Sequence, residues 1–183
     1  MFTVFLQGAD RGIGMGYEHF VAEFESICEN HVRNGRARAF AFIFYDMTHG
    51  PVRNALKSAH GFDILNTTSG KDLTLFYLHS EGLDSYAKKF NRQFLQALGV
   101  DRQVSPPCIV FFRANGERIE DIDCHHIDAE TQEPHLVVEE LRRYVMGYID
   151  GMNEQGNFAG LTWIAKGALL SFLKLASKHS GLF

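Results

Sequence analysis

Cys108-Ile-Val-Phe-Phe-Arg113, Ala114-Asn115-Gly116 and Glu117-Arg-Ile-Glu-Asp-Ile122, read in succession, decide the fold class. Two strand-forming runs flank an Asn-Gly pair, and tight hairpin turns favour that pair because both residues tolerate a left-handed backbone. The stretch therefore predicts two antiparallel strands. Upstream the pattern alternates between strand and helix, so the hairpin implies a mixed sheet and disfavours an all-parallel one.

Working outward, Phe2-Thr-Val-Phe-Leu-Gln7 alternates like a strand, and Tyr17, Phe20, Val21, Phe24, Ile27 and Cys28 recur at helical spacing. Ala39-Phe-Ala-Phe-Ile-Phe-Tyr45 is apolar without alternation, as in a central strand covered on both faces. Pro51 suits the first turn of a helix, where its missing N–H is no loss. The inner face of that helix is Val52, Ala55, Leu56 and Ala59, with an end near Gly61 and a polar loop over Asn66-Thr-Thr-Ser-Gly-Lys71. Leu73 to Leu78 predicts a third strand, and Tyr86, Phe90, Phe94 and Leu98 the stripe of a third helix. After the hairpin, Val137, Leu141, Tyr144, Val145 and Tyr148 predict a helix from Pro134 to Ile149. The expected order is βαβαβαββα over residues 1–150, an α/β domain. A glycine-marked linker over 151–160 and an amphipathic helix over 161–183 follow, the helix packing on the domain or on a second subunit.

The 183-residue length suits one such domain with a full core. A formal net charge of −4 gives no reason to expect a nucleic-acid partner. Cys28, Cys108 and Cys124 form no CxxC and leave an odd thiol, which fits a reducing, cytoplasmic setting. No basic region followed by an apolar core and a cleavage site opens the chain, and no apolar run suits a bilayer span.

This element order resembles the thioredoxin fold, a three-layer α/β/α sandwich, and two segments carry the likeness. Phe44-Tyr-Asp-Met-Thr-His-Gly-Pro-Val-Arg53 is similar to the active-site segment in which a central strand leads to Cys-Gly-Pro-Cys-Lys. Gly50 and Pro51 stand, with His49 and Val52 in place of the two cysteines. Val104-Ser-Pro-Pro-Cys-Ile-Val-Phe-Phe112 is similar to the family's cis-proline loop and the strand after it, with Pro107 in the better register. The resemblance implies a cis bond at Pro107 and a groove formed by His49, Gly50, Pro51, Arg53, Pro106, Pro107 and Cys108. Disulfide exchange needs an attacking thiolate and a resolving partner. Both motif cysteines are missing, so ordinary oxidoreductase activity is not expected.

His49, at the mouth of a helix whose N-terminus disfavours a cation, is expected neutral and able to act as an acceptor or base, with a surface histidine at a vestigial site the preferred reading. Cys108 is the candidate nucleophile of a glutathione-type or single-cysteine enzyme, weighed against a strand cysteine that merely packs. Gly8-Ala-Asp-Arg-Gly12-Ile-Gly14 is similar to the cofactor loop of short-chain dehydrogenases, which makes an NAD(P)-dependent oxidoreductase the alternative. Gln7 replaces that family's threonine, no Asn-Asn-Ala-Gly follows, and Tyr86 lacks a lysine four positions on. A turn between first strand and first helix is the simpler expectation, and no cofactor is expected. Asp121-Ile-Asp-Cys-His-His-Ile-Asp128, with His135 beyond, contains metal-ligand types, and Asp123, Cys124 and His126 are the candidate set. Adjacent histidines in a strand face opposite ways, so only one of His125 and His126 could join Asp123, and a solvated polar loop is the expectation preferred to a metal site. The last helix places Leu161, Ile164, Ala165, Ala168, Leu169, Phe172, Leu173 and Ala176 on one face and Lys166, Lys174 and Lys178 on another. That face must be buried on the domain, in a homodimer or, less favoured, at a membrane surface. The expected function is a non-redox thioredoxin-like binding or assembly protein that takes a peptide or protein partner in the groove.

Overall fold

The structure, a computed structural model, describes residues 2–6, 39–46, 48–80, 88, 91, 92, 94–96, 98–115 and 118–154. Strands β1 (Phe2–Leu6), β2 (Ala39–Phe44), β3 (Leu73–Ser80), β4 (Cys108–Asn115) and β5 (Arg118–His126) form one sheet in the order β1-β3-β2-β4-β5. β1, β3 and β2 are parallel, while β4 runs antiparallel to β2 and β5 antiparallel to β4. The expected α/β class with a mixed sheet is thus found. The expected first helix, the glycine loop with Gly8, Gly12 and Gly14, Cys28, Tyr86, Phe90, Gly116 and the helix of 161–183 lie outside the described residues.

β2 is buried along its whole length, as its unbroken apolar run requires. Its alternation sorts side chains by size. Ala39, Ala41 and Ile43 belong to one core cluster with Leu73, Leu75, Ile109 and Phe111. Helices α1 (Gly50–Lys57), α2 (Ala59–Ser69) and α3 (Pro134–Glu154) contribute Val52, Leu56, Leu65, Val137, Leu141 and Val145 to that cluster. The other face presents Phe40, Phe42 and Phe44. Phe42 stacks on Phe76 at 5.2 Å and meets Phe94 at 4.8 Å, so the helical residues before Gly99 cover this second face. Helices therefore lie on both sides of the sheet. Among the described residues no helix is long and apolar enough to cross a membrane.

Four boundaries differ from expectation. The helix begun at Pro51 stops at Lys57, and a second one occupies Ala59–Ser69, where Asn66 to Ser69 were expected to loop. Ser58 is the reason: its backbone is extended, its N–H bonds the Asn54 carbonyl, and its hydroxyl oxygen accepts the Gly61 N–H at 3.0 Å. The same residue closes one helix and caps the next. Second, β4 continues past Arg113 to Asn115, which still pairs with Arg118. Third, β5 continues beyond Ile122 to His126, so the expected solvated loop is strand. Its charged side chains suit the edge of a sheet. Fourth, α3 runs through Gly151 to Glu154 rather than ending at Ile149.

The β4–β5 register shifts between Phe111 and Arg113, with two residues of β5, Asp121 and Ile122, facing the single Phe112. Asp121 takes φ +50, a left-handed conformation that Asp adopts more readily than most side chains. The Pro106–Pro107 bond is cis.

Candidate functional site

Antiparallel pairing sets Phe44, the last residue of β2, opposite Cys108, the first of β4. The chain leaving β2 toward His49 and the prolines leading into β4 therefore share one end of the sheet. There His49, Gly50, Pro51, Arg53 and Pro106 are half-buried, whereas Val52, Pro107 and Cys108 are buried. The Pro107 carbonyl accepts the Ile127 N–H at 2.9 Å, which ties the loop to the end of β5.

His49 has a partner that the sequence did not announce. Its Nδ1 lies 2.9 Å from Asp46 Oδ1 and 3.1 Å from the Asp46 backbone nitrogen, whose N–H points at it. Asp46 Oδ1 also accepts the Thr48 N–H at 2.9 Å and the Thr48 hydroxyl, and Oδ2 lies 3.9 Å from Lys88 Nζ. An Asp two residues before a backbone N–H it can accept is an Asx-turn signal, the one clue the sequence held. One turn into α1, the Arg53 N–H bonds the His49 carbonyl at 3.0 Å. Asn91, on the far side of the sheet, donates its side-chain N–H to the Tyr45 carbonyl at 2.9 Å. Its Oδ1 is buried without a hydrogen-bond partner among the described residues.

Cys108 is not poised for attack. It is fully buried, and burial, with a smaller contribution from Cys124, pushes its thiol up to about 12. A reactive cysteine needs the opposite shift. Cys124 is pushed up too, by burial and then by Asp123.

The proposed ligand set Asp123, Cys124 and His126 does not converge. Strand alternation puts Asp123 and His125 on one face of β5 and Cys124 and His126 on the other. Asp123 Oδ2 accordingly pairs with His125 Nε2 at 2.9 Å. His135 pairs with Glu133 at 3.2 Å instead of joining them. Among the described residues no group of three His, Cys, Asp or Glu side chains could hold a metal.

Asp123 and His125 instead border a cleft of about 570 Å³ between β5 and α3. The Arg113–Asp121 ion pair lines it, and the His125 ring stacks on Tyr144 at 4.4 Å. Tyr144 donates to Glu140 at 2.9 Å, and Tyr148 donates to the Asp121 carbonyl at 3.2 Å. Burial pushes the Tyr148 phenol up to about 12. The Arg113–Asp121 pair joins β4 to β5 and the Asp123–His125 pair lies within β5, while the Tyr148 hydrogen bond and the His125–Tyr144 stack bind the edge strand to the helix. This constellation escaped the sequence because its partners are far apart in the chain.

β1 is an edge strand, which weighs against a nucleotide loop following it, since such loops belong at a switch point inside the sheet. Compared with protein-family models, with curated proteins and with solved structures, the chain finds no match. Its function must be argued from geometry.

Proposed function

We propose that this chain is a thioredoxin-like binding or assembly protein without thiol chemistry, whose groove around His49, Pro51 and Pro107 takes an extended peptide or protein partner. The Phe44–Cys108 pairing carries the reading, because it brings both segments of the thioredoxin likeness to one end of a mixed sheet. The element order and the helix that opens at Gly50-Pro51 support it. Thiol chemistry lacks its reagents: His49 and Val52 stand where the cysteines would be, and the buried Cys108 thiol holds its proton. The free thiols of Cys108 and Cys124 suit the cytoplasm.

The test has two arms. In an insulin-reduction assay with dithiothreitol the protein adds nothing to the background rate, and acceleration abolished by Cys108→Ser would refute the reading. In an NMR titration with a pool of extended peptides, backbone amide shifts are expected over Asp46–Arg53 and Val104–Cys108. Shifts confined to the β5–α3 cleft would move the binding site elsewhere.

A further inference from the structure

α3 turns two glycines toward the β5–α3 cleft. Gly147 and Gly151 stand one helical turn apart, and both line it. A Cβ at either position would meet nothing within 4 Å, so no neighbouring atom of the protein requires a glycine there. Glycine inside a helix is unfavourable relative to alanine. Together the pair leaves a strip of bare helix backbone as one wall of a space of about 570 Å³, a volume that suits a small organic molecule.

The rest of the lining sets what such a molecule must carry. Flat apolar surface comes from the Tyr144 and Tyr148 rings, and more from Ile122, which is 39 % exposed. Strict alternation along β5 would send Ile122 to the face opposite Asp121 and Asp123, yet all three border the cleft, as the bulge at Asp121 allows. Asp121 pairs with Arg113 and Asp123 with His125. Arg143 is exposed, with its guanidinium 5.5 Å from the centre of the Tyr144 ring, and among the described residues it pairs with no carboxylate. A planar guanidinium matches a carboxylate, which it can hold through two parallel N–H bonds. A dianion would face the repulsion of two carboxylates in the same lining, so one negative charge fits better than two.

We infer that the β5–α3 cleft is a binding site for a small aromatic monocarboxylate, whose ring lies on Gly147 and Gly151 beside the two tyrosines and whose carboxylate meets the Arg143 guanidinium. The site shares no residue with the groove around His49, Pro51 and Pro107, and it does not rest on that reading.

Sodium benzoate is the probe, with benzamide as its uncharged isostere and sodium acetate as a carboxylate without a ring. Titrated into the isotope-labelled full chain and followed by NMR, benzoate should shift the backbone amides of Asp121–His125 and Arg143–Met152 with a dissociation constant of about 1 mM. Benzamide and acetate should each bind at least about tenfold more weakly. Arg143→Gln, a change at an exposed position, should weaken benzoate at least about tenfold and leave benzamide unchanged. The double variant Gly147→Ala/Gly151→Ala should melt at a higher temperature than the wild type and yet bind benzoate at least about fivefold more weakly. Equal binding of benzoate and benzamide overturns the role of Arg143, and equal binding of benzoate and acetate overturns the aromatic ligand class. Benzoate shifts absent from β5 and α3, or confined to Asp46–Arg53 and Val104–Cys108, overturn the site. A double variant that melts lower than the wild type shows that packing needs the glycines and overturns their reading as a binding surface. None of these results bears on the groove, whose own test is the peptide titration.

Discussion

Phe111 and Tyr148 lie face to face, ring centroids 4.5 Å apart and planes 17° from parallel, and this stack joins the sheet to α3. Phe111 is fully buried, so Phe111→Ala removes a core side chain and should cost about 3–5 kcal/mol. Tyr148→Phe keeps the stack and loses only the hydroxyl bond to the Asp121 carbonyl, a cost of about 1 kcal/mol. Urea unfolding of both variants checks the ordering, and equal losses would mean that the hydroxyl, not the stack, makes the joint.

Gly61 sits where α2 turns away from α1. A Cβ at this position would lie 2.1 Å from the Ala55 carbonyl oxygen and 2.9 Å from Ser58 Oγ. Backbone cannot yield as a flexible side chain can, so Gly61→Ala should cost about 3 kcal/mol despite alanine's better helix propensity. Ser58→Ala, which removes the cap, should cost about 1 kcal/mol. Thermal unfolding compares the two, and a Gly61→Ala protein as stable as the wild type would refute the close junction.

Asp121 combines a left-handed backbone with an ion pair to Arg113. Asp121→Gly relieves the first and loses the second. An exposed pair is worth about 0–1 kcal/mol, so the net change should stay within about 1 kcal/mol. Asp121→Val loses the pair and meets the steric penalty of a β-branched residue, and should be at least about 1 kcal/mol less stable than the glycine variant. Denaturant midpoints for the two proteins decide the matter, and matching midpoints would argue that β5 relaxes its bulge.

Alkali should unfold the protein through Cys108. The unfolded thiol ionises near its ordinary 9.0, the native one only near about 12, so the unfolded state sheds its proton first. Stability linked to this group is complete below about pH 9 and is lost as pH rises toward about 12, by at most about 1.4 kcal/mol per pH unit. Tyr148, raised from 10.0 to about 12, adds to the loss in the upper part of that window. Denaturant midpoints from pH 8 to 11 should fall less steeply in Cys108→Ala than in the wild type, and parallel curves would refute the assignment.

The strands were legible because burial on both faces leaves an unbroken apolar run, as in Ala39–Phe44, and because Asn115-Gly116 announces a hairpin. α2 was not, since Asn66 and Thr67 face outward and only Leu65 and Ser69 of its last turns are buried. A helix with so narrow an apolar stripe reads as polar loop. β5 was cut short because the bulge at Asp121 breaks the period of two on which strand recognition depends. At the candidate site the groove segments could be named from Gly50-Pro51 and Pro106-Pro107. The meeting of Asp123 with His125 followed from strand parity once β5 was known to continue. Nothing local could bring Tyr148 to Asp121, because that contact is made by the packing of α3 on the sheet edge.

Asn91 spends one amide hydrogen on the carbonyl of Tyr45, the residue at which β2 releases the chain toward Asp46 and His49. Asn91 belongs to the helical layer on the Phe42 and Phe94 side, whereas α1 packs on the other. The segment presenting His49 is thus moored to both outer layers, and a shift in the layer behind the sheet would be felt at His49.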